Sequence, residues 1–149
     1  MAFRDTKGNK LKEAIKGNPL IHFLGTLPVS LVLDYERTAL ANINPRPYSE
    51  DLDRFSIPSK TIEYLSSGRP TISVRNSKLM KHFKENAIWA RTGEPEDLLL
   101  AMRTVINLTK EERKNLGQTA KEKVQKLYSL KVVNKKVNAF LELFKTTIN

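Results

Sequence analysis

The chain contains no cysteine and only two histidines among its 149 residues. A disulfide scaffold and a thiolate metal site are therefore excluded, and a dedicated protein metal centre has too few ligands at metal spacing. No Ser–His–Asp elbow of the G-x-S-x-G type occurs, and neither G-x-G-x-x-G nor a Walker sequence is present. Residues 1–12 are polar and charged, without the apolar region of a signal peptide, and no apolar run approaches the ~20 residues that span a bilayer. These absences lead to the expectation of a cytoplasmic protein without a cofactor or bound metal.

What is present is ordinary globular material, 40% hydrophobic and 28% charged, with a formal net charge of +10. The charge is uneven: residues 101–149 carry 11 Lys/Arg against 4 Asp/Glu. Such a basic third suits an anionic partner, either a phosphate-bearing lipid surface or nucleic acid, and equally a solvated helical face. Nucleic acid is the least favoured, because no helix-turn-helix pattern or interleaved surface aromatics accompany the charge.

The chain reads as short apolar runs alternating with helical patterns. Strands are expected at Leu20–Leu24, Ala39–Asn44, Thr71–Val74 and Ala87–Ala90. Helices are expected at Asn9–Lys16, Val29–Thr38, Lys78–Phe83, from Pro95 to about Ile106 with Leu98, Leu99, Met102 and Val105 inward, at Glu111–Tyr128, and at Leu130–Thr146. Tyr48–Arg54, polar and acidic, reads as a loop. This alternation implies a single α/β domain over residues 1–149, a Rossmann-like parallel sheet flanked by helices and closed by helices at about 109–147.

The stretch from Phe55 to Val74 carries the chemistry. It predicts a loop, a short helix with Ser56 as N-cap and Pro58 in its first turn, a left-handed stop at Gly68, and a buried strand. A helix start offers free N–H groups and a positive dipole end to an anion. Glu63 follows Ser59 and Lys60 on a neighbouring face and leans back over the first turn, where a carboxylate suits a vicinal diol such as ribose. The plainer reading of Glu63 is a surface partner for Lys60. Phe55 reads as packing rather than ligand stacking, Trp89 as core, and Arg46, between two prolines, as a residue able to reach a crevice at the strand ends.

The run "KTIEYLSSGRPTIS" resembles the donor-site signature of glycosyltransferases with the GT-B fold, in the large retaining family 4. Glu63 matches the second Glu of that family's Glu-x7-Glu motif. The first falls on Phe55, as in members with a Ser-x-Pro-x-Lys variant that also lack the carboxylate contacting the donor sugar. "HFLGTLP", "INPRP", "EPEDLLLAMRTVI" and "LGQTAKEKVQKLYSLKVV" resemble further elements of the family's C-terminal half, over about residues 20–135. The resemblance implies an incomplete donor-binding half of a GT-B enzyme. Its partner would be a nucleotide-diphosphate sugar, transferred with retention to a polysaccharide or glycolipid precursor.

It further implies that Glu63 holds the donor ribose and that Ser56, Ile57, Pro58, Ser59 and Lys60 hold phosphate or sugar, with Arg46 and Phe55 as further contacts. No catalytic residue is assigned. The acceptor-binding domain and the first strands of the donor domain have no counterpart, so the resemblance implies a fragment, a truncated reading frame or one piece of a split enzyme, the last with an acceptor-domain polypeptide as its partner. The alternative is a non-catalytic module docking a partner subunit or an anionic membrane, which would place the protein at the inner face of the membrane.

Overall fold

The computed structural model describes residues 13–148, with side chains as far as Leu143. Its residues fall into two compact units, Met1–Val32 and Leu33–Asn149. In the first unit, Glu13 to Ile15 end a helix whose expected start at Asn9 lies outside the described residues. Gly17 follows with φ +83°. Leu20–Leu24 forms no strand: it is irregular, with Leu20 87% exposed. An apolar run becomes a strand only where a neighbour completes its hydrogen bonds, and among the described residues none pairs with it.

Helix α1 is Val29–Thr38. The second unit then builds a parallel sheet from β1 (Asn42–Asn44), β2 (Thr71–Val74) and β3 (Ile88–Ala90), in the order β1-β2-β3. Ile43 lies beside Ile72, and Ile72 beside Ile88. All four residues of β2 are buried, as befits the central strand of a sheet covered on both faces.

One face packs Ile72 and Ala90 against Ala101 and Val105 of α5 (Pro95–Asn107). The other lies over Leu65 of α3 (Ser59–Ser66), Leu79 and Phe83 of α4 (Ser77–Phe83), and Ala120 and Val124 of α6 (Lys110–Tyr128). Trp89 packs against this second cluster, and its indole N–H donates to the Phe83 and Lys84 carbonyls. The chain is thus an α/β protein with an open, Rossmann-like parallel sheet flanked by helices.

Several local expectations are corrected. Within the supposed loop Tyr48–Arg54 begins α2 (Glu50–Phe55), because the Ser49 hydroxyl accepts from the Leu52 N–H and Glu50, Asp51 and Asp53 favour the positive helix start. Ser56 is therefore the C-cap of α2, its N–H donating to the Leu52 carbonyl; Pro58, extended at φ −69°, sits at the N-cap of α3 and has no capping side chain. Leu99 is 48% exposed, and Ala101, not Leu99, fills the core beside Val105. Phe55 does not pack: it is 72% exposed, with the Arg54 guanidinium 5.2 Å from its ring centre. The last helix, α7 (Leu130–Ile148), keeps its apolar stripe on one side, but Val133, Val137, Phe140 and Leu141 on it are exposed.

Candidate functional site at the strand ends

Parallel strands deliver their following loops to one edge of the sheet, where open α/β sheets hold ligands. After β1, Pro45 to Ser49 run along this edge. Gly93, after β3, closes on them: a β-carbon there would lie 2.9 Å from the Pro47 Cα, so only glycine permits the approach. After β2, the Asn76 carboxamide oxygen accepts from the Leu79 N–H and caps α4, while its NH2 donates to the Ser56 carbonyl at 3.2 Å. The Ser77 N–H donates to Asp53 at 2.6 Å. One amide and one carboxylate thereby tie the end of α2 to the start of α4.

The cleft between these loops is lined by Arg46, Tyr48, Asp53, Pro58, Ser73 and Arg75, among others. Arg46 donates to the Ser56 hydroxyl at a long 3.5 Å, and the Arg75 guanidinium stacks 4.6 Å above the Tyr48 ring. Two permanent cations thus stand at the carboxyl ends of β1 and β2. The cleft itself holds only about 30 Å³, room for water, so a larger ligand would lie along its rim.

Below the cleft the sheet is tied to α3 by a buried relay. The Asn44 NH2 donates to the Thr61 hydroxyl at 2.9 Å, and Thr61 and Ser73 hydroxyls are 2.9 Å apart. Ser73 donates onward to the Val74 carbonyl, so the Thr61 hydroxyl donates to Ser73. This relay fixes the helix that carries Ser59, Lys60 and Glu63.

Those three residues lie away from the cleft lining. Lys60 donates to Glu63 at 2.8 Å and to Glu36 of α1 at 3.2 Å. Glu63 is half-buried, while Glu36 is only 6% exposed. Burial pushes the Glu36 carboxyl above its usual range, and the Lys60 hydrogen bond opposes that shift without cancelling it. The hydrogen bond to Glu63 is the largest influence raising the Lys60 ammonium. Burial also raises the Tyr64 hydroxyl.

Of the residues singled out from sequence, the structure brings Arg46 and Pro58 together in the cleft, with Ser56 bonded to Arg46 at its margin. Lys60 and Glu63 form a separate cluster with Glu36, and Phe55 and Ile57 project as exposed apolar groups. Ser59, also exposed, opens α3. Sequence reasoning missed Arg75, Asp53, Asn76 and Glu36. Arg75 and Asn76 directly follow a strand, which is signal enough to place them at this edge; Glu36 carries no such mark, since nothing local foretells its burial.

Among the described residues no cluster of His, Cys, Asp and Glu could hold a metal ion, and no helix is long and apolar enough to cross a membrane. Nothing among curated proteins or solved structures matches the chain. The glycosyl transferase-like family model matches residues 8–137 and so spans the whole sheet, the loops at its edge and α6. The chain belongs to the glycosyl transferase-like family.

Proposed function

We propose that the chain binds the nucleoside-diphosphate portion of a sugar donor during retaining transfer to a polysaccharide or glycolipid precursor. The carrying observation is the pair of guanidiniums, Arg46 and Arg75, at the carboxyl edge of a parallel sheet in a glycosyl transferase-like chain. Transfer breaks the bond between the anomeric carbon and the diphosphate, and the departing oxygen takes the charge. Arginines beside it stabilise that charge bidentately.

In this reading Ser56, Ile57, Pro58, Ser59 and Lys60 border the phosphates and the sugar, and Phe55 offers an exposed ring face. The ribose hydroxyls go to the Glu63 carboxylate, whose Oε1 takes the Lys60 ammonium. Calorimetric titration with UDP-, GDP- and ADP-sugars tests the reading. Binding by the wild type should weaken about tenfold or more in both Arg46→Ala and Glu63→Ala. Binding that survives both substitutions, or no binding of any nucleotide, overturns it.

A second reading, a non-catalytic module on an anionic membrane, is favoured by α7. Leu130, Val133, Val137 and Leu141 are exposed along it, and Lys131, Lys135 and Lys136 border them. Sedimentation with anionic but not neutral vesicles, lost in Val137→Glu, supports this reading. Self-association or capture of a partner polypeptide through the same face, without vesicle binding, refutes it.

A further inference from the structure

The sheet's other edge carries a recess that the donor reading does not use. It measures about 690 Å³, within the range of small-molecule sites, and lies between the end of α1, the turn from Gly68 to Pro70 and the first turns of α6. Four cations line it, Arg69, Lys110, Arg113 and Lys114, against one acid, Glu111. Such an excess in a concave surface concentrates potential of one sign.

Two of the four are held in place by the fold. The Arg69 Nε–H donates to the Arg37 carbonyl at 2.5 Å, leaving its terminal nitrogens for another acceptor. The Arg113 Nη1 is spent on the Val105, Ile106 and Leu108 carbonyls that end α5, leaving Nη2 and Nε–H. Lys110 and Lys114 are exposed one helical turn apart, with Arg113 on the same side. Like charges at that spacing disfavour the helix they ride on. The tip of α6 is closed by its own capping box between Thr109 and Glu112, so any affinity here comes from side chains.

We infer that this recess is an oligophosphate site, taking a diphosphate group, free or carried by a nucleotide, between the preset guanidiniums and the two lysines. Two pre-oriented guanidiniums match the geometry of phosphate oxygens, while the lysines supply adaptable point charges. The recess shares no lining residue with the strand-end cleft, so the inference stands independently of the donor reading.

The test is calorimetry of the full chain with sodium pyrophosphate and with ADP, in the wild type, in Lys110→Ala/Lys114→Ala and in Arg46→Ala, with circular dichroism confirming helix content. Pyrophosphate binding should fall on the order of tenfold or more in the double lysine variant, persist in Arg46→Ala, and weaken with salt. ADP binding with the same variant pattern shows that the site accepts a nucleotide; pyrophosphate binding alone shows that it takes the free anion. Absence of pyrophosphate binding in the wild type overturns the inference, as does binding that is lost in Arg46→Ala and kept in the folded lysine variant.

Discussion

Gly117 in the middle of α6 touches Gly68, in the turn after α3: a β-carbon on Gly117 would stand 2.3 Å from the Gly68 carbonyl oxygen. Gly68 in turn has φ +82°, a conformation that side chains resist. Two glycines 49 positions apart thus seat the long helix on the turn between α3 and β2.

Gly117→Ala should therefore destabilise the protein, although alanine is the better helix former by about 1 kcal/mol. The opposing clash is with backbone, which cannot rotate away, and overpacking of this kind costs about 1–3 kcal/mol or more. Gly68→Ala meets only ordinary contact with Lys121 at 3.5 Å, so its cost is conformational, about 1 kcal/mol. Urea unfolding should place Gly117→Ala as the weaker protein of the two.

Lys60→Met leaves Glu36, only 6% exposed, facing Glu63 without a counter-ion. Losing one partner of a fully buried pair costs 3–5 kcal/mol; with Lys60 half-exposed, about 1–2 kcal/mol is expected at neutral pH. Because the Glu36 carboxyl is raised, the fold favours its protonated form, and ionisation begins to oppose folding as pH climbs above 4.5. The deficit of Lys60→Met should thus shrink as pH falls toward 4.5, below which Glu36 is protonated in both the folded and the unfolded chain. On the alkaline side, the stability from the raised Lys60 is present below pH 10.5 and lost above it in the wild type, a loss the variant lacks.

Thr61→Val conserves shape and removes the middle of the Asn44–Thr61–Ser73 relay. The Asn44 NH2 then lacks its acceptor and Ser73 its donor, which costs about 1–3 kcal/mol. A shift of the denaturant midpoint at unchanged slope is the expected signature. An unchanged midpoint would show that the relay contributes no net stability.

The capping box of α6 predicts a separate pH effect. The Thr109 N–H is the largest influence holding the Glu112 carboxyl below its usual range, so its contribution is present above pH 4.5 and lost as pH falls through the lowered value. Glu112→Gln should flatten that acid limb in a stability–pH profile. Thr109→Ala should cost about 1 kcal/mol through the lost cap.

The sequence made the sheet legible chiefly through β2, a fully buried run set off by the stop at Gly68-Arg69-Pro70, and through the short apolar run that becomes β3. Helices α5 and α6 were legible from their periodicity. Misreadings came where hydrophobicity or polarity was taken as conformation. Glu50 to Asp53 look like a loop by composition, yet Ser49 ahead of three acids is a helix start. Leu20–Leu24 look like a strand, yet apolarity does not supply a neighbour. Glu36 belongs to a third class: its burial follows from the approach of α1 to α3, which no local pattern encodes.

Asn76 has one further consequence. A single carboxamide fastens both the loop leaving α2 and the first turn of α4, so these segments are latched together. Any occupant that needs residues 56–58 displaced must first release that latch, giving up about 1 kcal/mol of its affinity. Where such an occupant also turns the freed carboxamide away from α4, amide exchange at Leu79, whose N–H donates to that carboxamide, should quicken and report occupancy from outside the cleft lining.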